Sequence, residues 1–135
     1  MNKVFYIHSD FTAYCKLKKI KDSTLKFSSY ESFSQNALHH MYYDIESCFG
    51  KNYILPTYNY DFPQKKKFNV KKDKGNTGIF SEFCRLNFIF HRSHVPMFSS
   101  ISKNVNNLKF ISKDLKLNPF DKSSDFGILH KNNGF

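Results

Sequence analysis

Residues 53–62 read Tyr-Ile-Leu-Pro-Thr-Tyr-Asn-Tyr-Asp-Phe, and this stretch decides the fold that the sequence predicts. A short apolar run is stopped by Pro56, and hydroxyl, amide and carboxylate side chains follow it at once. A buried strand that ends in this way delivers polar side chains to the surface of a sheet. We therefore predict a strand over residues 53–56 and a polar loop at a functional edge over residues 57–61.

A similar pattern opens the chain, where residues 4–7 form a β-branched and aromatic run that ends at His8 and Ser9. Such a run is typical of a strand that is buried on both faces. Residues 29–49, between the two predicted strands, carry apolar side chains at helical spacing, and Gly50 is placed to end a helix. This order predicts a right-handed β-α-β unit with parallel strands, whose carboxyl ends carry the polar loops.

Three other segments flank this unit. Ser28 and Glu31 have the spacing of a capping box at the start of the long helix. Residues 11–27 fit a helix and an irregular loop equally well, and both interpretations stay open. Residues 63–76 contain two lysine runs, which we interpret as a solvated loop. The alternative is a phosphate or RNA patch in which Phe68 stacks on a base.

A second helix is predicted after Thr77, whose hydroxyl is placed to cap it. We expect this helix to end near Arg92 and residues 98–101 to form a strand. The pattern of residues 104–117 is polar with scattered apolar residues, and their structure stays open. A last short helix is expected over Phe126, with a further buried strand after it. In the second helix, we expect Ile79, Phe80, Phe83 and Leu86 on a core face and Ser81, Glu82 and Arg85 on another face. In the last helix, we expect Ser123 or Ser124 as the N-cap, Leu129 beside Phe126, and Gly134 as the closing turn.

These features together predict an α/β fold with a layered sheet, at least partly parallel, and flanking helices. A chain of 135 residues is long enough for one domain with a real core, so we expect a single domain over residues 1–135. Its aromatic fraction of 18% excludes a disordered chain, because that much ring surface must be buried to offset chain entropy.

The formal charge of +10 would usually indicate a polyanionic partner. All but two of the 21 basic residues are lysines, however, and only Arg85 and Arg92 offer the guanidinium fork that reads phosphate and guanine. Nucleic acid is therefore not the partner we expect, whereas a small phosphorylated cofactor would benefit from the same field. Three cysteines without metal-ligand spacing predict reduced thiols in a cytoplasmic protein and no metal site. No signal peptide or membrane-spanning run is seen, so we expect no membrane insertion.

Several runs can now be considered together. Residues 55–62, the pattern Gly78-x-x-Ser81-Glu82-Phe83-x-Arg85 and the pattern Arg92-Ser93-x-x-Pro96-x-Phe98-Ser99 resemble, in order and spacing, the aminoglycoside 3-N-acetyltransferase family. Residues 7–10 are similar to the first strand and the following H-S-D loop of that family, and residues 120–127 and 133–134 to a later segment and turn. The resemblance spans nearly the whole chain and is closest to the family's relatives in polysaccharide gene clusters.

The resemblance implies an α/β acetyltransferase that binds acetyl-coenzyme A and transfers acetyl to an amino group of an aminoglycoside or another amino sugar. Such a reaction needs a base, donors for the thioester oxyanion, and groups that hold the cofactor phosphates. By resemblance, the expected site residues are Glu82 and His94 as catalytic, His8, Ser9, Arg92, Ser93 and Ser99 as cofactor-binding, and Tyr58, Tyr60 and Asp61 as substrate-binding.

Two departures from the family pattern affect these expectations. Val95 stands where many resistance enzymes have a histidine, and His94 lies one place earlier, which favours an acceptor other than an aminoglycoside. Family members are also longer, so the chain resembles their N-terminal portion, and an inactive remnant stays open as an alternative. A basic module for single-stranded nucleic acid is the other alternative.

Overall fold

The computed structural model describes residues 3–21, 30–108, 122 and 125–131. In chain order, its elements are β1 (Phe5–Tyr6), α1 (Phe11–Lys21), α2 (Tyr30–Phe49), β2 (Tyr53–Pro56), α3 (Phe62–Lys65), α4 (Ile79–Asn87), β3 (His91–Arg92), β4 (Ser100–Ser102), a 3₁₀ turn (Val105–Asn107) and α5 (Asp125–Lys131).

Four strands form a mixed sheet in the order β1-β2-β4-β3. β1 and β2 are parallel, with Phe5 opposite Tyr53, and β4 runs antiparallel to both β2 and β3. The predicted α/β class with a partly parallel sheet is therefore confirmed. β3 was not predicted, and it occupies the stretch where the second helix was expected to continue.

The long helix is confirmed as α2, over Tyr30–Phe49, and Gly50 ends it with a φ of +58°. Its buried side chains pack in one core with residues of β2, β4 and α4. The capping residue Ser28 lies outside the described residues. The open segment after β1 begins with the helix α1, because the Asp10 carboxylate accepts a hydrogen bond from the Ala13 backbone N–H at 2.9 Å and caps its first turn. The rest of that open segment, from residue 22 to 27, lies outside the described residues.

The prediction for the second helix, α4, was wrong at both ends. Gly78 occupies its N-cap position, whereas the Thr77 hydroxyl donates to the carbonyl oxygen of Pro56 at 2.6 Å and accepts from the Tyr58 backbone N–H at 3.3 Å. The helix ends at Asn87, whose side-chain amide donates to the carbonyl oxygen of Phe83. Thr77 therefore fixes the end of β2 instead of starting α4.

Two of the four residues predicted on the core face of α4 are buried, and two are exposed. Phe80 and Phe83 are buried as expected, but Ile79 and Leu86 are 55% and 66% exposed. Ser81, expected on the polar face, is buried. Successive residues of a helix lie about 100° apart around its axis, so the buried face of α4 is displaced by about a quarter of a turn from the predicted one. Ser81 and Cys84 therefore face the core, and Ile79 and Leu86 face outward.

β4 confirms a strand close to residues 98–101, shifted to Ser100–Ser102. α5 confirms the last short helix, and its Phe126 is half-buried. The proposed caps of that helix, the turn at Gly134 and residues 109–117 lie outside the described residues. None of the helices in the described ranges is both long enough and apolar enough to cross a membrane.

Candidate functional site

The carboxyl ends of β1 and β2 lie side by side, as their parallel pairing requires. Tyr6 pairs with Ile54, and the Ile7 backbone N–H donates to the carbonyl oxygen of Ile54 at 2.9 Å. The loop that begins with His8 therefore leaves the sheet beside the loop that begins with Thr57. This is the edge at which sheets of this kind bind ligands.

Arg92 lies at the end of β3 and is buried, with 7% of its surface exposed. Its Nε donates to the hydroxyls of Thr57 and Ser99 at 3.2 and 3.1 Å, and its Nη2 donates to the carbonyl oxygen of Thr57 at 2.7 Å. The Ser99 hydroxyl donates to the same carbonyl oxygen at 2.6 Å. One guanidinium thus ties the end of β2 to the segment before β4.

The same guanidinium also holds the lysine-rich loop. Arg92 Nη1 donates to the carbonyl oxygens of Val70 and Asp73 at 3.2 and 2.5 Å, and the Phe68 ring centroid lies 4.9 Å from the guanidinium carbon. Burial, with help from the positive charge of Arg85, lowers the pKa of Arg92 to about 10. Within the described residues, the hydrogen-bond acceptors of Arg92 are neutral oxygens, and the charges of Glu82 and Asp73 act on it without a direct ion pair.

Ser93 and Ser99, predicted to shape the thioester site, are both fully buried. Ser93 extends the pairing of β3 with β4, since its N–H donates to the carbonyl oxygen of Ser100 and its hydroxyl accepts from the Ser100 N–H, each at 2.9 Å. The hydroxyls of Ser93 and Ser99 therefore form hydrogen bonds within the fold. His94, the neighbour of Ser93, is half-buried.

Glu82 forms a two-pronged ion pair with Arg85, in which Nη2 lies 2.6 Å from Oε1 and Nε lies 2.8 Å from Oε2. The backbone N–H of Gly75 also donates to Oε2 at 3.0 Å. Burial raises the pKa of Glu82, but the hydrogen bonds from Arg85 and Gly75 outweigh it, and the pKa is lowered overall. This carboxylate lines a cleft of about 540 Å³ between α2 and α4.

The lysine-rich loop after α3 is exposed to solvent, as the lysine runs predicted, and it is also attached to the rest of the fold. Its lysines are exposed, but its backbone is fastened to the loop after β2. The Asn59 amide donates to the carbonyl oxygen of Lys74 at 3.2 Å, and the Asn76 N–H donates to that of Tyr58 at 2.7 Å. Gly75 lies so close to Thr57 that an added Cβ would be 3.1 Å from the Thr57 Cβ.

The three predicted substrate-binding residues occupy different environments. Tyr58 is half-buried, its ring packs edge-on to Phe98 at 5.3 Å, and its hydroxyl accepts a hydrogen bond from the Tyr6 hydroxyl at 3.0 Å. Tyr60 is 54% exposed. Asp61 is exposed and forms an ion pair with Lys65 at 2.9 Å.

Contacts therefore join four of the ten predicted site residues in one region. Arg92 and Ser99 share one hydrogen-bonded network with the end of β2, and Ser93 is joined to it through β4. Glu82 is tied to the same region through Gly75. His8 is exposed at the neighbouring loop, and its ring lies 5.3 Å from that of Tyr6.

Sequence reasoning missed three members of this network. Thr57 supplies acceptors for Arg92. Gly75 allows its loop to pack closely against Thr57. Tyr6 donates a hydrogen bond from its hydroxyl to that of Tyr58. A threonine directly after a proline-ended strand was a usable signal for the first. Nothing in the local sequence marked the other two.

Comparison of the chain with protein-family models, with curated proteins and with solved structures gave no match. Within the described ranges, no group of three or more His, Cys, Asp or Glu side chains is placed to hold a metal ion.

Proposed function

We propose that this chain carries the cofactor-facing and acceptor-facing wall of an acetyl-coenzyme A-dependent N-acetyltransferase that acts on an amino sugar. One observation carries the proposal: the separate runs on which the resemblance rests meet in space. Arg92 and Ser99 of the third run contact Thr57 of the first. Glu82 of the second run holds Gly75, which packs against Thr57.

The proposed reaction forms one bond and breaks one. The amine nitrogen of the sugar attacks the carbonyl carbon of the thioester, a C–N bond forms, and the C–S bond breaks to release coenzyme A as the thiol. A base takes the proton from the attacking nitrogen and passes it to the leaving sulfur. Hydrogen-bond donors stabilise the negative charge that develops on the carbonyl oxygen.

Among the residues of this wall, we assign the base to His94. It is half-buried and follows Ser93 directly in the chain, and an imidazole is the side chain that most often serves as a general base. Glu82 is the weaker candidate for the base, because its lowered pKa and its bonds from Arg85 and Gly75 disfavour proton uptake. We assign Glu82 instead to shaping the cleft that its carboxylate lines.

The other assignments place ligand groups along the sheet edge. His8 and Ser9 lie at the carboxyl end of β1 on the proposed cofactor side. Arg92 and Ser99, whose donors are used within the protein, hold this edge in place rather than contacting the cofactor directly. Exposed Tyr60 offers a ring on which a sugar can stack. Use of acetyl-coenzyme A places the proposed reaction in the cytoplasm.

A thermal-shift titration with acetyl-coenzyme A tests the proposal. A ligand at ten times its Kd stabilises a folded protein by about 1.4 kcal/mol, which raises Tm by about 4 °C in a domain of this size. A panel of amino sugars is then tested for turnover. Each sugar is incubated separately with acetyl-coenzyme A, and the release of free thiol is measured, which identifies the acceptor class.

A rise in Tm with acetyl-coenzyme A, but not with single-stranded RNA of equal phosphate content, is the expected result. If RNA at low salt raises Tm and acetyl-coenzyme A does not, the proposal is wrong and the nucleic-acid alternative takes its place. If neither ligand changes Tm, the chain does not bind the cofactor, and the non-catalytic alternative is supported.

A further inference from the structure

A concave pocket of about 590 Å³ lies in the lysine-rich loop, on the side of Phe68. Its lining residues are Lys65, Lys67, Phe68, Asn69 and Asp73. Lys66, between the two lining lysines, adopts a left-handed conformation with φ +52° and ends α3 through a hydrogen bond from its N–H to the carbonyl oxygen of Phe62. This turn sets Lys65 and Lys67 at one pocket.

Arg92 fixes the backbone of the loop that forms the pocket. Arg92 binds the carbonyl oxygens of Val70 and Asp73 and packs against Phe68, so the backbone of the loop is fixed to the sheet. Within the loop, the Asn69 N–H donates to Asp73 Oδ2 at 2.8 Å, and the Asp73 N–H donates to the carbonyl oxygen of Asn69 at 2.9 Å. The lysine side chains are therefore presented from a fixed backbone.

The charge of this region is strongly positive. Residues 61–92 contain eight of the basic residues of the chain and three carboxylates, those of Asp61, Asp73 and Glu82. Asp61 pairs with Lys65, and Glu82 pairs with Arg85. The Arg92 cation lies against Phe68 of the pocket, and its hydrogen-bond acceptors among the described residues are all neutral.

Asp73 is the carboxylate in the pocket that opposes anion binding. Its Oδ2 is engaged by the Asn69 N–H, and Arg92 lies close behind its backbone. Four lysines that do not line the pocket are exposed on the same loop and add to the local field, namely Lys66, Lys71, Lys72 and Lys74. The sum of these charges favours an anion at the pocket mouth.

We propose that this pocket binds the phosphate or pyrophosphate group of an organic ligand, with Lys65 and Lys67 as the contacting cations. Two ligands of the proposed reaction carry this chemistry: coenzyme A itself, and an amino sugar activated by a nucleoside diphosphate. The choice between them rests on the proposed function, whereas the anion site does not. Either ligand would place its phosphates beside the loop of Tyr60 and Asp61, since Lys65 pairs with Asp61.

The neighbourhood of Asp61 favours an anionic acceptor over a polycationic one. Asp61 and Glu82, the two carboxylates among the predicted site residues, each already pair with a basic side chain. A multiply charged aminoglycoside would have to compete with Lys65 and Arg85 for them. An amino sugar that carries a diphosphate would also compete with Asp61 for Lys65, but it would meet in addition Lys67, which forms no ion pair within the described residues.

Calorimetric titration at low salt tests the pocket with three probes, namely inorganic pyrophosphate, coenzyme A and UDP-glucosamine, and with pantetheine as the phosphate-free control. The decisive variant is Lys65→Gln/Lys67→Gln, and its matched control is Lys71→Gln/Lys72→Gln, which removes the same charge from the same loop but outside the pocket. The melting temperature of each variant is measured first. Asp73→Asn is a third variant, which should tighten pyrophosphate binding if its fold is kept.

We expect the pocket variant to weaken binding of pyrophosphate and of one organic ligand by about tenfold or more, and the control variant by about twofold, because charge-assisted hydrogen bonds are stronger than screened long-range attraction. If coenzyme A is the ligand affected, the phosphates belong to the cosubstrate. If UDP-glucosamine is affected and coenzyme A is not, they belong to the acceptor.

Equal weakening by the two double variants would overturn the pocket in favour of a diffuse positive field. So would tighter binding of single-stranded RNA than of every small probe, with a steep salt dependence. If acetyl-coenzyme A raises Tm in the pocket variant as much as in the parent chain and pyrophosphate does not bind, the pocket inference fails and the proposed function stands. If pyrophosphate binds and acetyl-coenzyme A does not, the proposed function fails and the pocket inference stands.

Discussion

Arg92 Nη2 donates a hydrogen bond to the carbonyl oxygen of Thr57 at 2.7 Å, although 35 residues separate the two in the chain. This bond joins β3 to the end of β2, and the remaining nitrogens of the guanidinium reach Ser99 and the loop around Val70. Arg92 is therefore the residue on which the geometry of the candidate site depends most directly.

Replacing Arg92 should destabilise the fold strongly. Arg92→Ala removes the guanidinium donors from the oxygens of Thr57, Ser99 and the loop around Val70 and leaves a cavity, and we expect a loss of at least about 3 kcal/mol in the free energy of unfolding. Arg92→Lys should lose about 2 kcal/mol, because an ammonium lacks the planar fork. Denaturant titration measures both. Full stability of Arg92→Lys would show that the fork is not needed.

Gly75→Ala should disturb the packing of the loop on β2. The added Cβ would lie 3.1 Å from the Thr57 Cβ and 3.3 Å from Glu82 Oε2, so backbone or side chain must move. We expect a cost of about 1–3 kcal/mol, measured by denaturant titration.

Gly50→Ala is the control for this change. Gly50 has φ +58° and no neighbour within 4 Å of an added Cβ, so only the left-handed backbone is strained there, at about 1 kcal/mol. Only Gly75→Ala should also weaken binding of acetyl-coenzyme A. Equal effects of both changes on ligand binding would contradict the packing argument.

The Glu82–Arg85 pair should make stability fall at acid pH. Because the pKa of Glu82 is lower in the folded chain than its ordinary value of 4.5, the pair stabilises the fold above that value and this contribution is lost as the pH falls through the lowered pKa. Unfolding free energies measured between about pH 6 and 3 should depend less on pH in Glu82→Gln than in the parent chain. Arg85→Gln should flatten the dependence by a smaller amount, since the Gly75 N–H still binds the carboxylate. An unchanged slope in Glu82→Gln would contradict this account.

The cysteines should differ sharply in reactivity. Burial raises the pKa of the Cys84 thiol to about 12, and its side chain is fully buried in the core, whereas Cys48 is exposed on α2. Iodoacetamide at neutral pH should modify Cys48 in the folded chain and Cys84 only after unfolding. Mass spectrometry of peptides identifies the modified thiol. Early labelling of Cys84 would show that the core opens locally.

Loss of the proposed base should separate chemistry from binding. His94→Gln should lower acetyl transfer by at least about a hundredfold and leave the rise in Tm with acetyl-coenzyme A unchanged. His91→Gln removes an exposed histidine three residues away and serves as the control. Turnover that survives in His94→Gln would move the role of base to another residue.

Local patterns were sufficient where the physics is local. The apolar periodicity of residues 29–49 predicted α2, and the proline-ended run before Thr57 predicted β2, because helix and strand periods follow from backbone geometry. The same reasoning failed for α4. Its hydrophobic residues fit two overlapping faces, and packing against α2 and the sheet buried Ser81 and Cys84 rather than Ile79 and Leu86.

The candidate site shows the same division. The sequence by itself determined the α/β class, the parallel pairing of β1 with β2, and the polar residues at their carboxyl ends, since each depends on short-range pattern and on the rules that connect strands. Only the tertiary structure decided that Arg92 would be buried against Thr57, that Glu82 would pair with Arg85 and hold Gly75, and that the lysine-rich loop would be fixed around a pocket. Those outcomes depend on which distant donors and acceptors meet once the core has formed. A buried charged or polar group must form hydrogen bonds, and only the tertiary structure decides which groups lie close enough to form them.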